Sequence, residues 1–278
     1  MARRRLAPPT RAPAPPPPAG GDAPEGSALS PVLVDYFGRD GSTAMMRLLA
    51  SSPEVLVAGG YPYEAQPFTR ILLAHGCDGT GADAADPGSR RLAVEADWAQ
   101  ASRGMRAAEG AGRPSIYAEK LFDARRFDRA AMPPVRMIAM LRDPRDTFVS
   151  VELFRRAVGD EEMGGRGGEE LRLERFVERQ RDRLRWIAGL AQDETTMTVA
   201  YRDLIEDMPG LARRLSSWLG VDVAPERVPR DFRLRWVHAT SADPAASVGR
   251  WRTELSPAVA AALTDRLGPE MRELGFID

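Results

Sequence analysis

Residues 32–43 read Val32-Leu33-Val34-Asp35-Tyr36-Phe37-Gly38-Arg39-Asp40-Gly41-Ser42-Thr43, and their order decides the fold class. Val32 to Phe37 is a short, mostly apolar run of strand length. Gly38 and Gly41 then permit a tight turn, after which Met45, Leu48 and Leu49 recur at i, i+3 and i+4, the spacing of a helix's apolar face. Strand, glycine turn and helix in succession aim backbone N–H groups at whatever sits at the helix N-terminus and favour an anion there. Ser42 and Thr43 add hydroxyl donors, and Arg39 adds a planar cationic fork. An ordinary strand-to-helix turn is the alternative, since Gly-x-x-Gly alone is a weak signal. A nucleoside-triphosphate loop would need Gly-x-x-x-x-Gly-Lys before its Ser or Thr, and Ser42 stands where that lysine belongs. An ordinary ATPase or GTPase is thereby disfavoured.

Outward from this stretch the alternation continues. Val55 to Ala58 is a second short strand ending at Gly59-Gly60, and Tyr61-Pro62-Tyr63-Glu64 opens a helix toward His75. Gly76 to Gly112 is rich in Gly, Ala and Asp, with one helix near Leu92 to Met105. Ser115 to Glu119 is a strand leading to Lys120. Val135 to Leu141 is the most strand-like run and ends in Arg142-Asp143-Pro144-Arg145-Asp146, not in a metal-holding carboxylate. Asp at the cap, Pro at the first helical position and Asp in the first turn predict a helix from Pro144 to Ala157. Leu173, Phe176, Val177, Leu184, Ile187 and Leu190 mark one face of a long helix whose arginines read as solvated. Met197 to Ala200 is a strand, Leu211 to Leu219 a helix closed by Gly220, and Pro257 to Leu267 a last helix. Short apolar strands alternating with helices predict an α/β fold of three layers, a mainly parallel sheet with helices on both faces. Residues 1–30 hold eight of the 23 prolines and cannot pack a core, so they read as a disordered, polyproline-like tail ahead of a single domain at 31–278.

Composition narrows the function classes. Lys plus Arg number 39 against 40 Asp plus Glu across 278 residues, so no positive field exists to hold a nucleic acid. A single cysteine, Cys77, and two histidines, His75 and His238, cannot assemble a Cys/His metal cluster, and no metal is expected. No apolar run approaches the ~18 residues of a membrane span, and prolines follow the basic start Met1 to Arg5 where a signal core would lie. The chain reads as cytoplasmic.

Four segments resemble the PAPS-dependent sulfotransferases, PAPS being 3′-phosphoadenosine 5′-phosphosulfate. Gly38-Arg39-Asp40-Gly41-Ser42-Thr43 is similar to the family's phosphosulfate loop, and Leu141-Arg142-Asp143-Pro144-Arg145-Asp146-Thr147-Phe148-Val149-Ser150 to its 3′-phosphate element. Tyr201-Arg202-Asp203-Leu204 resembles the segment near the adenine, and Val248-Gly249-Arg250-Trp251 the C-terminal segment that closes over the nucleotide. The resemblance implies a P-loop NTPase-like sulfotransferase fold. It also implies PAPS as co-substrate without metal, held by Arg39, Asp40, Gly41, Ser42, Thr43, Arg142, Ser150, Tyr201, Gly249, Arg250 and Trp251. Spacing supports the second element independently: Ser150 follows the cap Asp143 by seven residues, nearly two helical turns, so arginine and hydroxyl can converge on one phosphate. A local surface pair of Arg142 with Asp146 is the alternative, and Arg145 reads as the solvated arginine.

Sulfuryl transfer needs a base for the acceptor's proton and positive charge at the leaving oxygen. Glu64 is the candidate base, similar to the carboxylate that several branches place opposite the phosphosulfate loop; a solvent-facing glutamate in a first helical turn is the alternative. The histidine of cytosolic branches is absent, because Leu121 and Phe122 follow Lys120. Lys120, the chain's one lysine, resembles the strand-end lysine that contacts the transferring group, and with Arg39 it would stabilise the departing oxygen. Glu119 is its candidate ion-pair partner or an alternative base. Asp40 stands where the family usually has serine, and its charge would oppose an anion unless Arg39 or Lys120 neutralises it. The expected activity is sulfuryl transfer to a hydroxyl or amine of a small-molecule or glycan acceptor. A catalytically silent PAPS- or PAP-binding module and a P-loop phosphotransferase are the alternatives, and the oligomeric state is not legible.

Overall fold

A computed structural model describes residues 28–57, 59, 62–80, 86–109, 114–158, 168–228, 243 and 245–278. The proline-rich tail through residue 27, Tyr61 and His238 lie outside the described residues. In chain order the elements are β1 (Ser30–Tyr36), α1 (Ser42–Leu49), β2 (Val55–Val57), α2 (Pro67–Ala74), α3 (Pro87–Glu109), β3 (Ile116–Phe122), β4 (Arg136–Leu141), α4 (Pro144–Val158), α5 (Glu169–Gly189), β5 (Thr196–Ala200), α6 (Tyr201–Glu206), α7 (Met208–Leu219), α8 (Trp251–Glu254) and α9 (Pro257–Glu273).

The strands form one parallel sheet in the order β2-β3-β1-β4-β5. Alternate residues of its strands enter different cores, as a two-residue period requires. Val32, Val34, Ala118, Ile138 and Met140 pack with Met45 and Leu48 of α1 and with Leu211 and Leu215 of α7. Leu33, Tyr117, Leu121 and Met137 point the other way, onto Phe68 and Leu72 of α2 and Val94 and Trp98 of α3. Both faces are therefore dry, which is why the strands read as nearly continuous apolar runs. Beside them, Phe148 of α4 packs on Leu173 and Val177 of α5 and on Leu263, Leu267 and Met271 of α9. Each fully buried side chain of this size stabilises the fold by roughly 1.5–3 kcal/mol.

The chain leaves β1 toward β2 on one side of it and later builds β4 and β5 on the other. The carboxyl ends of β1 and β4 thus flank a point where the winding reverses, the place where open α/β sheets hold ligands. Three local departures from the sequence reading have identifiable causes. The expected helix opening at Tyr61 begins instead at Pro67, because the carboxylate capping its first amides belongs to Glu119: Oε2 accepts from Phe68 N at 3.0 Å and Oε1 from Thr69 N at 2.7 Å. The last helix continues past Leu267 through Pro269 to Glu273, held by Met271 in the α5–α9 core. Lys120 lies within β3, two residues before its end.

Candidate active site

The turn between β1 and α1 uses the left-handed backbone region three times, at Gly38 and Gly41 (φ 98° each) and at Arg39 (φ 64°). Gly41 is further constrained by Tyr201, whose ring would lie 2.4 Å from any Cβ there. Asp40, between them, turns inward and is buried. Its Oδ2 accepts from Phe37 N at 2.8 Å and its Oδ1 from Ser42 N at 3.3 Å, so the carboxylate folds the turn from inside. Burial pushes the Asp40 carboxyl up, while the nearby Arg183 of α5 and these amides pull it down. The compensating cation is thus Arg183, where Arg39 or Lys120 was expected. Arg183 also pairs with buried Asp35 of β1 and donates to the backbone oxygen of Met140 at 3.3 Å. It is a buried exception to the solvated arginines read along α5.

On one side of the turn stands a chain of three side chains. Lys120 Nζ lies 3.3 Å from Thr43 Oγ1 and 2.5 Å from Glu64 Oε1. Lys120 is nearly buried and Glu64 half exposed, with side-chain exposures of 3% and 51%. Gln66 steadies this end of β3 by donating from Nε2 to the Lys120 carbonyl at 2.8 Å. Glu64 lies ahead of α2, not in its first turn, and the residue before it, Tyr63, is held at φ 64°. Glu119 is neither the partner of Lys120 nor an available base. It faces the opposite side of the sheet, where the Thr69 hydroxyl and Tyr117 OH join the two α2 amides on its carboxylate.

On the other side the mid-chain arginine element closes up to the turn. Arg142 donates from Nη1 to the Arg39 carbonyl at 2.7 Å and from Nη2 to the Ser247 carbonyl at 3.0 Å, and its guanidinium lies 4.3 Å from the Tyr201 ring centroid. Arg39 in turn donates from Nε to Ser150 Oγ at 3.2 Å and covers the Phe154 ring at 4.7 Å. The convergence expected of Arg142 and Ser150 therefore runs through Arg39, whose carbonyl meets one and whose guanidinium meets the other. No surface pair between Arg142 and Asp146 forms. Asp146 accepts from Gly249 N at 2.7 Å and from Trp251 N at 3.0 Å, which pins the C-terminal segment against the turn. Burial pushes the Asp146 carboxyl up, and these two amides oppose the rise.

Tyr201 and Ser247 share a hydroxyl hydrogen bond of 2.8 Å. Arg250 forks onto Glu254, with Nε–Oε1 at 2.8 Å and Nη2–Oε2 at 3.0 Å. Arg145 is not solvated: it is buried, clasps Asp143 at 2.7 Å and lies 3.9 Å from the Trp251 ring centroid. Its long side chain meets a capping carboxylate on its own helix and an aromatic face brought in by the C-terminal segment. Asp146, Ser247, Arg183 and Gln66 are the members of the site that the sequence reading missed. Arg183 was findable, since it interrupts the apolar stripe of α5 beside Leu184 and Ile187.

The donor set suits a nucleotide with an anionic group at each end. Arg142 Nε and Trp251 Nε1 are buried without a hydrogen-bond partner among the described residues, and a bound anion and a polar nucleotide atom would satisfy them. Around them stand Arg39, Ser150 and Arg250, with Lys120 and Thr43 on the far side of the turn. Gly38 leaves open space over the turn where a Cβ would otherwise project. Among the described residues no group of three or more His, Cys, Asp or Glu side chains is placed to share a cation.

Residues 31–225 match the model of the sulfotransferase family, well over half of the chain. The chain belongs to that family and is a PAPS-dependent transferase of sulfuryl groups. Mouse sulfotransferase SULT7A1, solved with PAP, superposes with a TM-score of 0.51 at 13% identity over 90% of this chain and 85% of that one, a likeness of fold. The sulfotransferase domain from the curacin biosynthetic pathway matches at a TM-score of 0.49 and 15% identity, over 87% of this chain and 99% of its own. Retinol dehydratase in complex with androsterone and inactive cofactor PAP matches at 0.47 and 15%, over 87% and 80%. No curated protein matches the chain. No helix among the described residues is long and apolar enough to cross a membrane.

Proposed function

We propose that the two side-chain groups flanking the turn divide the sulfuryl transfer between them, and that the acceptor is a small molecule presenting a hydroxyl or an amine. The carrying observation is the Thr43–Lys120–Glu64 chain, which links the N-terminus of α1 to a half-exposed carboxylate through one buried ammonium. When bound, PAPS supplies an electrophilic sulfur whose leaving atom is the bridging phosphate oxygen.

The Ser42 and Thr43 hydroxyls and the α1 amides that follow Ser42 hold the 5′ end of the donor, since a helix's first N–H groups lack intrahelical acceptors. Lys120 Nζ, already beside Thr43, holds the charge that builds on the leaving oxygen. Glu64 takes the acceptor's proton at Oε1 once Lys120 is drawn toward the donor. Arg39, Ser150, Arg142 Nε and Arg250 hold the 3′-phosphate, while Tyr201 and Trp251 border the adenosine. Arg39 is placed at Ser150 and so serves donor binding more directly than it serves the leaving oxygen.

The silent-module alternative rested on Asp40 meeting the donor with like charge. With its carboxylate bonded to Phe37 and Ser42 amides inside the turn, that motive is gone. Cytoplasmic residence fits Cys77, a buried free thiol in a chain with no second cysteine.

The test is calorimetry and turnover on one preparation. PAP is expected to bind without metal and more tightly than ATP with magnesium, and Glu64→Gln is expected to lower kcat by about 10²–10⁴-fold, the usual contribution of a general base, with PAP affinity unchanged. Full activity in the variant removes Glu64 from the reaction. Binding of PAP with no turnover of any acceptor selects the silent module.

A further inference from the structure

β3 is buried along its length until its last residue, Phe122, which is 45% exposed at the carboxyl edge of the sheet. Two residues earlier on the same strand is Lys120. Residues i and i+2 of a strand face the same side about 6.5–7 Å apart, so the Phe122 ring lies within one small molecule's reach of the Lys120–Glu64 pair. Its neighbours are aromatic. Phe37 stacks on it with centroids 5.9 Å apart and planes 6° apart, and Tyr36 meets it edge-on at 5.4 Å and 69°. Lys120 Nζ is 5.5 Å from the Tyr36 centroid, which joins this aromatic edge to the charged pair.

The polar groups bordering the edge are engaged with one another. Arg125 forks onto Asp123 at 2.5 and 2.9 Å, and Gln66 donates to the Lys120 carbonyl. Burial, with Glu64 and Asp40 nearby, pushes the Tyr36 phenol up to about 12, so it stays neutral at working pH. A polyhydroxy acceptor needs several convergent hydrogen-bonding groups, and Arg125, Asp123 and Gln66 beside Phe122 are already engaged in internal bonds. A flat ring needs only the outer face of Phe122 to extend the Phe37–Phe122 stack.

We propose that Phe122, backed by Phe37 and Tyr36, is the platform for an aromatic acceptor, a phenol or aryl alcohol whose ring lies on Phe122 and whose hydroxyl reaches Glu64. In the transfer the acceptor oxygen bonds to sulfur as the bond from sulfur to the bridging phosphate oxygen breaks. The hydroxyl proton passes to Glu64, and the electron pair of the broken bond leaves with PAP. This narrows the acceptor class and rests on the sulfotransferase reading of the site.

The experiment offers labelled PAPS with 2-naphthol, 4-nitrophenol and benzyl alcohol against glucose, glucosamine and 1-hexanol. Aryl acceptors are expected to show kcat/KM at least tenfold above the others. Phe122→Ala should lower aryl kcat/KM at least tenfold, through the acceptor KM, with the KM for PAPS unchanged and the melting temperature lower by only a few degrees from the lost ring contacts, and Phe122→Trp should restore it. A preference for sugars or hexanol, aryl kinetics unchanged in Phe122→Ala, or PAP binding with no aryl turnover would each overturn the platform. Failure of the wild type to bind PAP at all would instead overturn the donor site, and the platform with it.

Discussion

Asp40 shows how a carboxylate can sit in a turn that receives anions: it spends its charge on the turn's own amides and on a guanidinium behind them. Arg183 is the shared counter-charge of Asp35 and Asp40, two carboxyls that burial raises. Removing one partner of a buried pair leaves the other uncompensated, at a cost of about 3–5 kcal/mol. Arg183→Met is therefore expected to lose about that much stability in urea unfolding and to raise the KM for PAPS, and adding Asp35→Asn should recover part of the loss. Equal stability of Arg183→Met and wild type would show that the pair holds nothing in place. That Arg142 and Ser150 gather at the glycine turn could be read from local signatures of strand end and capped helix, whereas Glu64 and Lys120 were singled out through the family resemblance. Arg183 and Asp146 were not recognised for what they do, because their partners lie on other elements, as much as 148 residues away for Asp35.

Elements were read well wherever the period was strong. The strand runs and the Pro144 and Gly220 signals fixed most boundaries to within a few residues. The start of α2 was missed for a physical reason: its N-terminal amides are capped from β3 by Glu119, 50 residues on, so no cap residue appears ahead of the helix. Between α4 and α5 the join is electrostatic as well as apolar. Glu152 receives Arg155 at 3.0 Å and Arg172 at 3.1 Å. Burial alone would raise the Glu152 carboxyl, but hydrogen bonds from the two arginines outweigh it and hold the group below its ordinary value of 4.5. A carboxyl depressed on folding stabilises above its unfolded value, and that contribution is lost as pH falls through the folded one. Glu152→Gln should then be less stable than wild type by about 1 kcal/mol at pH 7. The gap should close on acidification below pH 4.5 in thermal unfolding; a gap that ignores pH would mean that packing alone joins the helices.

For the whole molecule, what matters is that the C-terminal segment returns across the sheet's carboxyl edge and is tied down at one carboxylate. Asp146 holds Gly249 and Trp251, 103 and 105 residues further along. Asp146→Ala should raise the Kd for PAP roughly tenfold or more, since hydrogen bonds to a charged group contribute about 1.5–3 kcal/mol. At saturating donor kcat should stay within a few-fold, because Lys120 and Glu64 stand on the other flank of the turn. Unaltered PAP affinity in calorimetry would show that the segment stays in place without the tie. Of the 39 lysines and arginines only Lys120 is a lysine, and its side chain is 3% exposed. Amine-directed acylation thus meets no exposed lysine, so beyond the chain's terminal α-amine a reagent specific for primary amines reports on one interior position. Protection of that position by a bound ligand could then be read by mass spectrometry as a single adduct gained or lost.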